Sequence, residues 1–277
     1  MALFDEHHLN ILFPQWQGSG YSNILFHGAK KIEQYFSEIH FQKIDVPEIQ
    51  DLVVSNQILG YDAILSQLEQ AKNVIQQKKP ETIFIVGGDC GVELAPISYL
   101  NQLYKKNMGL IWFDAHGDLN TPTSSPSKHF HGMPLRFLCG DGDPHILEAC
   151  FSIIQPQQVI LAGAREFDKP EQVYIQQMSM TKISVDSLEN NPNCLADEIK
   201  KKGWDNVYLH IDLDVLDPVA YKNVKHPTHG GLLVNTLFQS ILTIKAECNV
   251  TGIGIVEFVP HHDTGLTEIK TLLDIFK

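Results

Sequence analysis

Two acidic clusters, Asp114-Ala115-His116-Gly117-Asp118 and Asp212-Leu213-Asp214, hold the side chains best suited to chemistry. Each follows a short apolar run, Leu110 to Phe113 and Val207 to Ile211, so each falls where a strand should end. Carboxylates with an imidazole at strand ends suit hard or borderline metal ions. Buried together, four carboxylates repel one another unless a cation or shared protons neutralise them. Alternation with period two puts Asp212 and Asp214 on one side of the chain, and Asp114, His116 and Asp118 share that odd-even spacing. If the two strand ends are neighbours, these five ligands suffice to share between two ions while leaving positions open for water. A carboxylate-rich set suits manganese or magnesium more than zinc, and the imidazole tilts the choice to manganese. Paired ions that share and activate a water imply hydrolysis. Alone, an Asp-x-Asp at a strand end is more often a turn or cap than a ligand pair; the two clusters together, each after an apolar strand, carry the metal reading.

The elements that must position these side chains alternate along the chain. Apolar, β-rich runs recur at Asn10 to Phe13, Phe41 to Val46, Ile83 to Val86, Leu110 to Phe113, Val159 to Ala162, Lys182 to Val185, Val207 to Ile211 and Thr251 to Val256. Helical patterns lie between them at Gly60 to Gln77, Val92 to Tyr104, Cys194 to Lys202, Val234 to Ala246 and Thr267 to Phe276. This order predicts a three-layer α/β/α architecture with a mostly parallel central sheet. In such sheets ligands bind beyond the carboxyl ends of the strands, where both clusters fall. The longest loop-like stretch, Asn120 to Leu135, directly follows an acidic cluster and reads as a binding loop. Asp141-Gly142-Asp143-Pro144 reads as a turn entering a helix.

Composition narrows the classes. The net charge of -12 disfavours nucleic acid or an anionic membrane as partner. No run of about eighteen apolar residues suggests a membrane span, and the opening MALFDEHHLN shows no secretory signal. The five cysteines, Cys90, Cys139, Cys150, Cys194 and Cys248, are widely spaced and odd in number. That pattern points to a reduced, cytoplasmic chain without a disulfide framework.

Four ordered motifs then resemble one known family, the arginase/agmatinase ureohydrolases. They are Gly87-Gly88-Asp89, Asp114-Ala115-His116-Gly117-Asp118, Asp212-Leu213-Asp214-Val215-Leu216-Asp217-Pro218 and the strand ending in Glu257. The resemblance implies a single arginase-fold domain over residues 1–277 and a binuclear manganese site bound by Asp114, His116, Asp118, Asp212 and Asp214. Its implied chemistry is attack of activated water on a guanidinium carbon, releasing urea and an amine. Glu257 inherits the role of guanidinium clamp, which a carboxylate suits through charge-assisted hydrogen bonds. His131, preceding Gly132, inherits that of a proton shuttle, in preference to His129. Asn120 and Ser127 match residues that contact a substrate carboxylate, and Asp168 matches the contact to the α-amino group. These matches favour the arginase branch, L-arginine plus water giving L-ornithine plus urea. The family also implies a small-molecule guanidino substrate and a homo-oligomer, trimer or hexamer.

Two departures qualify this. The family usually carries a ligating His where this chain has Cys90, so Cys90 is either a softer ligand or a small buried core residue. One of the two manganese ions would then be weakly held, absent or replaced by zinc or cobalt. The loop Val219 to Gly231 also differs from arginases and adds His226 and His229. Alternatives are an agmatinase, a formiminoglutamase or another guanidino-acid hydrolase, and a metal-poor, non-catalytic family member with a binding role. A metal-dependent deacetylase fits less well, because its usual paired histidines and Tyr are not evident.

Overall fold

The computed structural model describes residues 7–105, 107–261 and 264–276. In chain order the strands are β1 (His8–Phe13), β2 (Gln42–Lys43), β3 (Val54–Ser55), β4 (Ile58–Leu59), β5 (Thr82–Gly87), β6 (Met108–Phe113), β7 (Val159–Ala162), β8 (Thr181–Ile183), β9 (Asn206–Asp212) and β10 (Asn249–Val256). The strands β3 and β4 form a separate antiparallel ribbon. All the others join one eight-stranded sheet of order β2-β1-β5-β10-β9-β6-β7-β8. Its registered pairs are all parallel.

The larger helices are α1 (Ile24–Tyr35), α2 (Tyr61–Lys78) and α3 (Leu94–Leu103), then the short α4 (Pro134–Leu138) and α5 (Pro144–Glu148). They are followed by α6 (Lys169–Gln177), α7 (Val185–Asn190), α8 (Cys194–Lys202), α9 (Val234–Glu247) and α10 (Leu266–Asp274). Successive strand residues face opposite sides of the sheet, so the strands feed two cores. One contains Ile83, Ile85, Leu110 and Trp112 with Leu68, Ala71 and Ile75 of α2 and Ile97 and Leu100 of α3. The other contains Phe84, Val86, Ile111 and Phe113 with Ile32 of α1, Ile199 of α8, Ile241 of α9 and Ile269 of α10. The expected three-layer α/β/α architecture is what forms. Among the described residues no helix is long and apolar enough to cross a membrane.

Some local expectations need correction. The run Phe41 to Val46 pairs as a strand only at Gln42–Lys43 on the sheet edge. The strand expected through Val185 stops at Ile183, because the Ser184 Oγ accepts from the Ser187 backbone N–H at 3.2 Å and starts α7. The helices α1, α4, α6 and α7 were not expected, α1 despite burying Leu25, Gly28, Ala29 and Ile32 at helical spacing. At α5 the turn does enter a helix: Asp143 Oδ1 accepts from the backbone N–H groups of His145 and Ile146, and Pro144 opens the first turn.

Candidate metal centre

The strands β5, β10, β9 and β6 lie side by side in the middle of the sheet. Their carboxyl ends therefore bring together four segments far apart in sequence. At the end of β5, Gly88 is required because a Cβ there would stand 1.8 Å from the Gln15 carbonyl oxygen. The buried Asp89 carboxylate then accepts from the backbone N–H of Gly18 and of Gly91, each at 2.9 Å, fixing the turn that carries Cys90. Cys90 is buried and its Sγ lies 3.3 Å from Asp212 Oδ2. Glu257 directly follows β10, with its backbone N–H donating to the Gly88 carbonyl at 2.8 Å.

Neither acidic cluster continues as a strand, which corrects the alternation argument. Asp114 Oδ1 accepts from the His116 backbone N–H at 2.6 Å, and Asp118 has φ +52°. Asp212 ends β9, and its Oδ1 accepts from the Asp214 backbone N–H at 2.8 Å as the chain turns over Leu213–Val215. The clusters are joined where Asp214 Oδ1 accepts from the Ala115 backbone N–H at 3.0 Å. Convergence of the carboxylates therefore comes from side-chain-to-backbone turns beyond the strand ends. Positive φ also occurs at Glu257, +62°. Such conformations of non-glycine residues cost ~1–3 kcal/mol each and concentrate at functional sites.

Ligand atoms gather in three groups, each within a mutual 4.8 Å: Cys90, Asp114, Asp118 and His210; Cys90, Asp212 and Glu257; Asp114, His116 and Asp214. The five side chains expected from sequence to bind metal, Asp114, His116, Asp118, Asp212 and Asp214, all fall within these groups, as does Cys90. His116 Nδ1 is 3.0 Å from Asp214 Oδ2 and 3.4 Å from Asp114 Oδ1. Several buried atoms have no hydrogen-bond partner: Asp118 Oδ2, both Glu257 carboxylate oxygens and both ring nitrogens of His210. A cluster of orphaned oxygen and nitrogen donors facing one another fits divalent cations.

Electrostatics point the same way. Burial raises the Asp118 and Asp212 carboxyls well above the usual range, and neighbouring Asp114 adds to both shifts. Burial also raises Asp214 and, to about 7, Asp89. At Asp114 burial is outweighed by the His116 and His210 rings, which hold the carboxyl well below its usual range. At His116 burial opposes the charge, but Asp114 and Asp214 push the ring up to about 12. Without metal the cluster thus stores protons at neutral pH, and cations must displace them. Adding manganese to the metal-free protein at pH 7 should release protons, seen with an indicator dye in weak buffer, and affinity should rise with pH. A proton-neutral, pH-independent uptake would contradict this. Stability follows from the same shifts. A carboxyl raised in the folded state costs nothing below the unfolded value of about 4, and its penalty grows until pH passes the folded value, about 7 at Asp89. The metal-free protein should therefore lose stability between those limits, and the rise in Tm on adding manganese should widen with pH.

The loop after β6 reaches the rim. Asn120 is buried, and its Nδ2 donates to Asp168 Oδ2 at 2.8 Å while its Oδ1 accepts from Ser124. Ser127 is exposed, and its Oγ accepts from the His129 backbone N–H. His131 Nδ1 lies 3.7 Å from Glu257 Oε1. Burial lowers the His131 ring well below its ordinary value, with neighbouring His226 and Lys225 adding to the effect, so the ring is neutral at pH 7. Asn120 is thus paired with Asp168, and His131 lies beside Glu257.

Other side chains around the cluster were assigned no site role from the sequence. In the divergent loop, His226 stacks on His131 with centroids 4.9 Å apart, while His229 is exposed. Lys225 bonds the Ser19 carbonyl and, at 2.9 Å, its Oγ, and its charge acts on Glu257 and Asp89. Asp217 shapes this loop by accepting from the backbone N–H groups of Val219, Gly230 and Gly231. The Arg165 guanidinium ties it to the turn after β9 through the carbonyls of Asp214, Val215, Thr228 and His229. Glu171 accepts from the backbone N–H of Leu119 and of Asp168, holding the loop after β6 against α6. His210 was detectable: it stands two residues before Asp212, on the same side of β9.

The profile described as "Arginase family" matches residues 23–273. Among curated proteins, an arginase of Staphylococcus aureus (strain MRSA252) is 30% identical over 230 residues, covering 80% of this chain and 75% of that protein. Among solved structures, Entamoeba histolytica arginase in complex with L-ornithine superposes with a TM-score of 0.86 at 23% identity, over 98% of this chain and 97% of that one. A formimidoylglutamase from Bacillus subtilis gives 0.74 at 21% identity, over 97% and 85%. At those identities the two structures speak to the fold alone.

Proposed function

The chain belongs to the arginase family and is a hydrolase acting on guanidino C–N bonds, and from that premise we propose that it converts L-arginine and water to L-ornithine and urea. The observation carrying this reading is the meeting of Asp114, His116, Asp118, Asp212 and Asp214 with Glu257 at four central strand ends, with orphaned buried oxygens among them. The five ligands would hold two divalent ions, manganese by donor type, with zinc or cobalt as alternative occupants. When bound, such ions supply Lewis acidity that makes water a nucleophile at neutral pH.

The remaining work falls to the chain's own side chains. Glu257 receives the guanidinium through its two unpartnered oxygens, orienting the carbon for attack. Neutral His131 takes a proton from the attacking water and returns one to the departing amine nitrogen. Asn120 and Ser127 donate to the substrate carboxylate, and Asp168, fixed by Asn120 and the capping interactions of α6, accepts from the α-amino group. We place the enzyme in the cytoplasm as a trimer or hexamer of one domain per chain, with neither nucleic acid nor membrane as partner.

The deciding experiment incubates manganese-loaded protein with arginine, agmatine, guanidinobutyrate and formiminoglutamate, scoring urea, ammonia and formamide. Arginine should be preferred over agmatine by ~30-fold or more, because agmatine leaves the buried Asn120 without its carboxylate. Preference for agmatine or formiminoglutamate would replace the arginase assignment within the same family. No turnover of any of them by fully loaded protein would support the non-catalytic alternative.

A further inference from the structure

We propose that His210 is a ligand of the metal position beside Cys90, supplying the imidazole that the family usually carries at residue 90, and that Glu93 orients it. This rests on reading the centre as a metal site. His210 and Glu93 are both fully buried, and neither the two ring nitrogens nor the two carboxylate oxygens have a hydrogen-bond partner. The ring is held in plane by Trp112, its register partner on β6, with centroids 3.4 Å apart and planes inclined by 8°. Its Nε2 is 3.7 Å from Asp114 Oδ2, and one ring nitrogen shares a mutual 4.8 Å with ligand atoms of Cys90, Asp114 and Asp118.

The other edge supports the same role. Nδ1 faces Glu93 Oε1 at 3.5 Å. Metal-binding histidines characteristically turn their second nitrogen to a carboxylate, which fixes tautomer and ring direction. Room for Glu93 exists only because residue 254 is glycine: a Cβ there would stand 1.4 Å from Glu93 Oε1. A simple buried ion pair explains the geometry less well. Charge-assisted N–H···O bonds close to about 2.7–2.9 Å, shorter than the 3.7 Å between Nε2 and Asp114 Oδ2. An imidazole nitrogen and a carboxylate oxygen, each about 2.0–2.2 Å from one tetrahedral ion, stand about 3.3–3.6 Å apart, nearer to the 3.7 Å observed than a hydrogen bond would be. The donor set is then one sulfur, one imidazole nitrogen and two carboxylates, with the thiol proton lost to solvent on binding. Such a set is softer than oxygen with imidazole and favours zinc or cobalt at this position over manganese.

The test uses the full chain, stripped of metal and titrated with cobalt, zinc and manganese, reading bound metal after dialysis and the cobalt absorption spectrum. Wild type should bind two ions, with a sulfur-to-cobalt charge-transfer band that Cys90→Ser removes. His210→Gln should keep one ion and weaken the other by more than ~100-fold, and Glu93→Gln should weaken that same ion by ~10–100-fold. The double change Cys90→His with His210→Gln should restore the second ion. Near-UV circular dichroism checks that each variant is folded, and Glu93→Gln decides the matter if His210→Gln is not. Two ions held with unchanged affinity in the folded His210→Gln variant, or in Glu93→Gln, would overturn the assignment while leaving the metal site standing. No ion bound by wild type would overturn both.

Discussion

Asp114→Ala should lower manganese-dependent urea release by more than ~10³-fold, because removing even one electrostatic contact from such a site costs ~10²–10³ and this change dismantles two ligand groups at once. Asp114 belongs both to the group with Cys90, Asp118 and His210 and to the group with His116 and Asp214. It also accepts from Trp112 Nε1 at 3.0 Å and from the His116 backbone N–H. The fold should survive. Removing one buried carboxylate relieves repulsion on Asp118, Asp212 and Asp214, each of which Asp114 pushes up. His116 keeps its partner Asp214 at 3.0 Å. Against this relief stand two donors that lose their acceptor, the Trp112 indole N–H and the His116 backbone N–H, each worth ~1–3 kcal/mol. The expected result is a folded protein with a metal-free Tm near that of wild type, binding few or no ions and releasing no measurable urea. Full activity in the variant would end the metal-assisted reading.

The parts of the site that could be read from sequence were those encoded by strand-end position. Apolar runs such as Leu110 to Phe113 and Val207 to Ile211 are buried on both sides, so their hydrophobicity is continuous and their ends are marked by the first acids. Sheet order was not legible, because nothing local in β5 or β6 states that β9 and β10 lie between them. The convergence of Asp212 with Asp214 was foreseen for the wrong reason: the Asp212 side chain turns the backbone instead of leaving it extended. His210 carries a usable signal in its spacing to Asp212, but inside a largely apolar strand a lone histidine reads first as core. Glu93 was hidden because its partner, the space at Gly254, is a long-range fact. Lys225 and His226 were read as part of a divergent loop, and only the fold of that loop over Asp217 and Arg165 turns them to the site.

Glu257→Gln should reduce kcat/KM for a guanidinium substrate by ~30-fold to several-thousand-fold, the 2–5 kcal/mol lost when one member of a buried charge pair is replaced. Glutamine keeps the shape of the side chain, so the backbone at φ +62° and the bond from its N–H to Gly88 should persist. What disappears is the negative charge. In the free protein that charge is costly: burial raises the Glu257 carboxyl well above its usual range, with the Lys225 ammonium acting in the opposite direction. A bound guanidinium would supply the missing partner by donating to both oxygens. The neutral amide offers one acceptor and one group that points donor to donor. Metal-free Glu257→Gln should therefore be at least as stable as wild type while turning over far more slowly. The five aspartate and histidine side chains proposed to hold the metals are untouched, so its metal content should stay at the wild-type level, unlike that of Asp114→Ala. Activity within threefold of wild type would remove Glu257 from substrate recognition, and loss of bound metal along with activity would recast it as a ligand in the group it forms with Cys90 and Asp212.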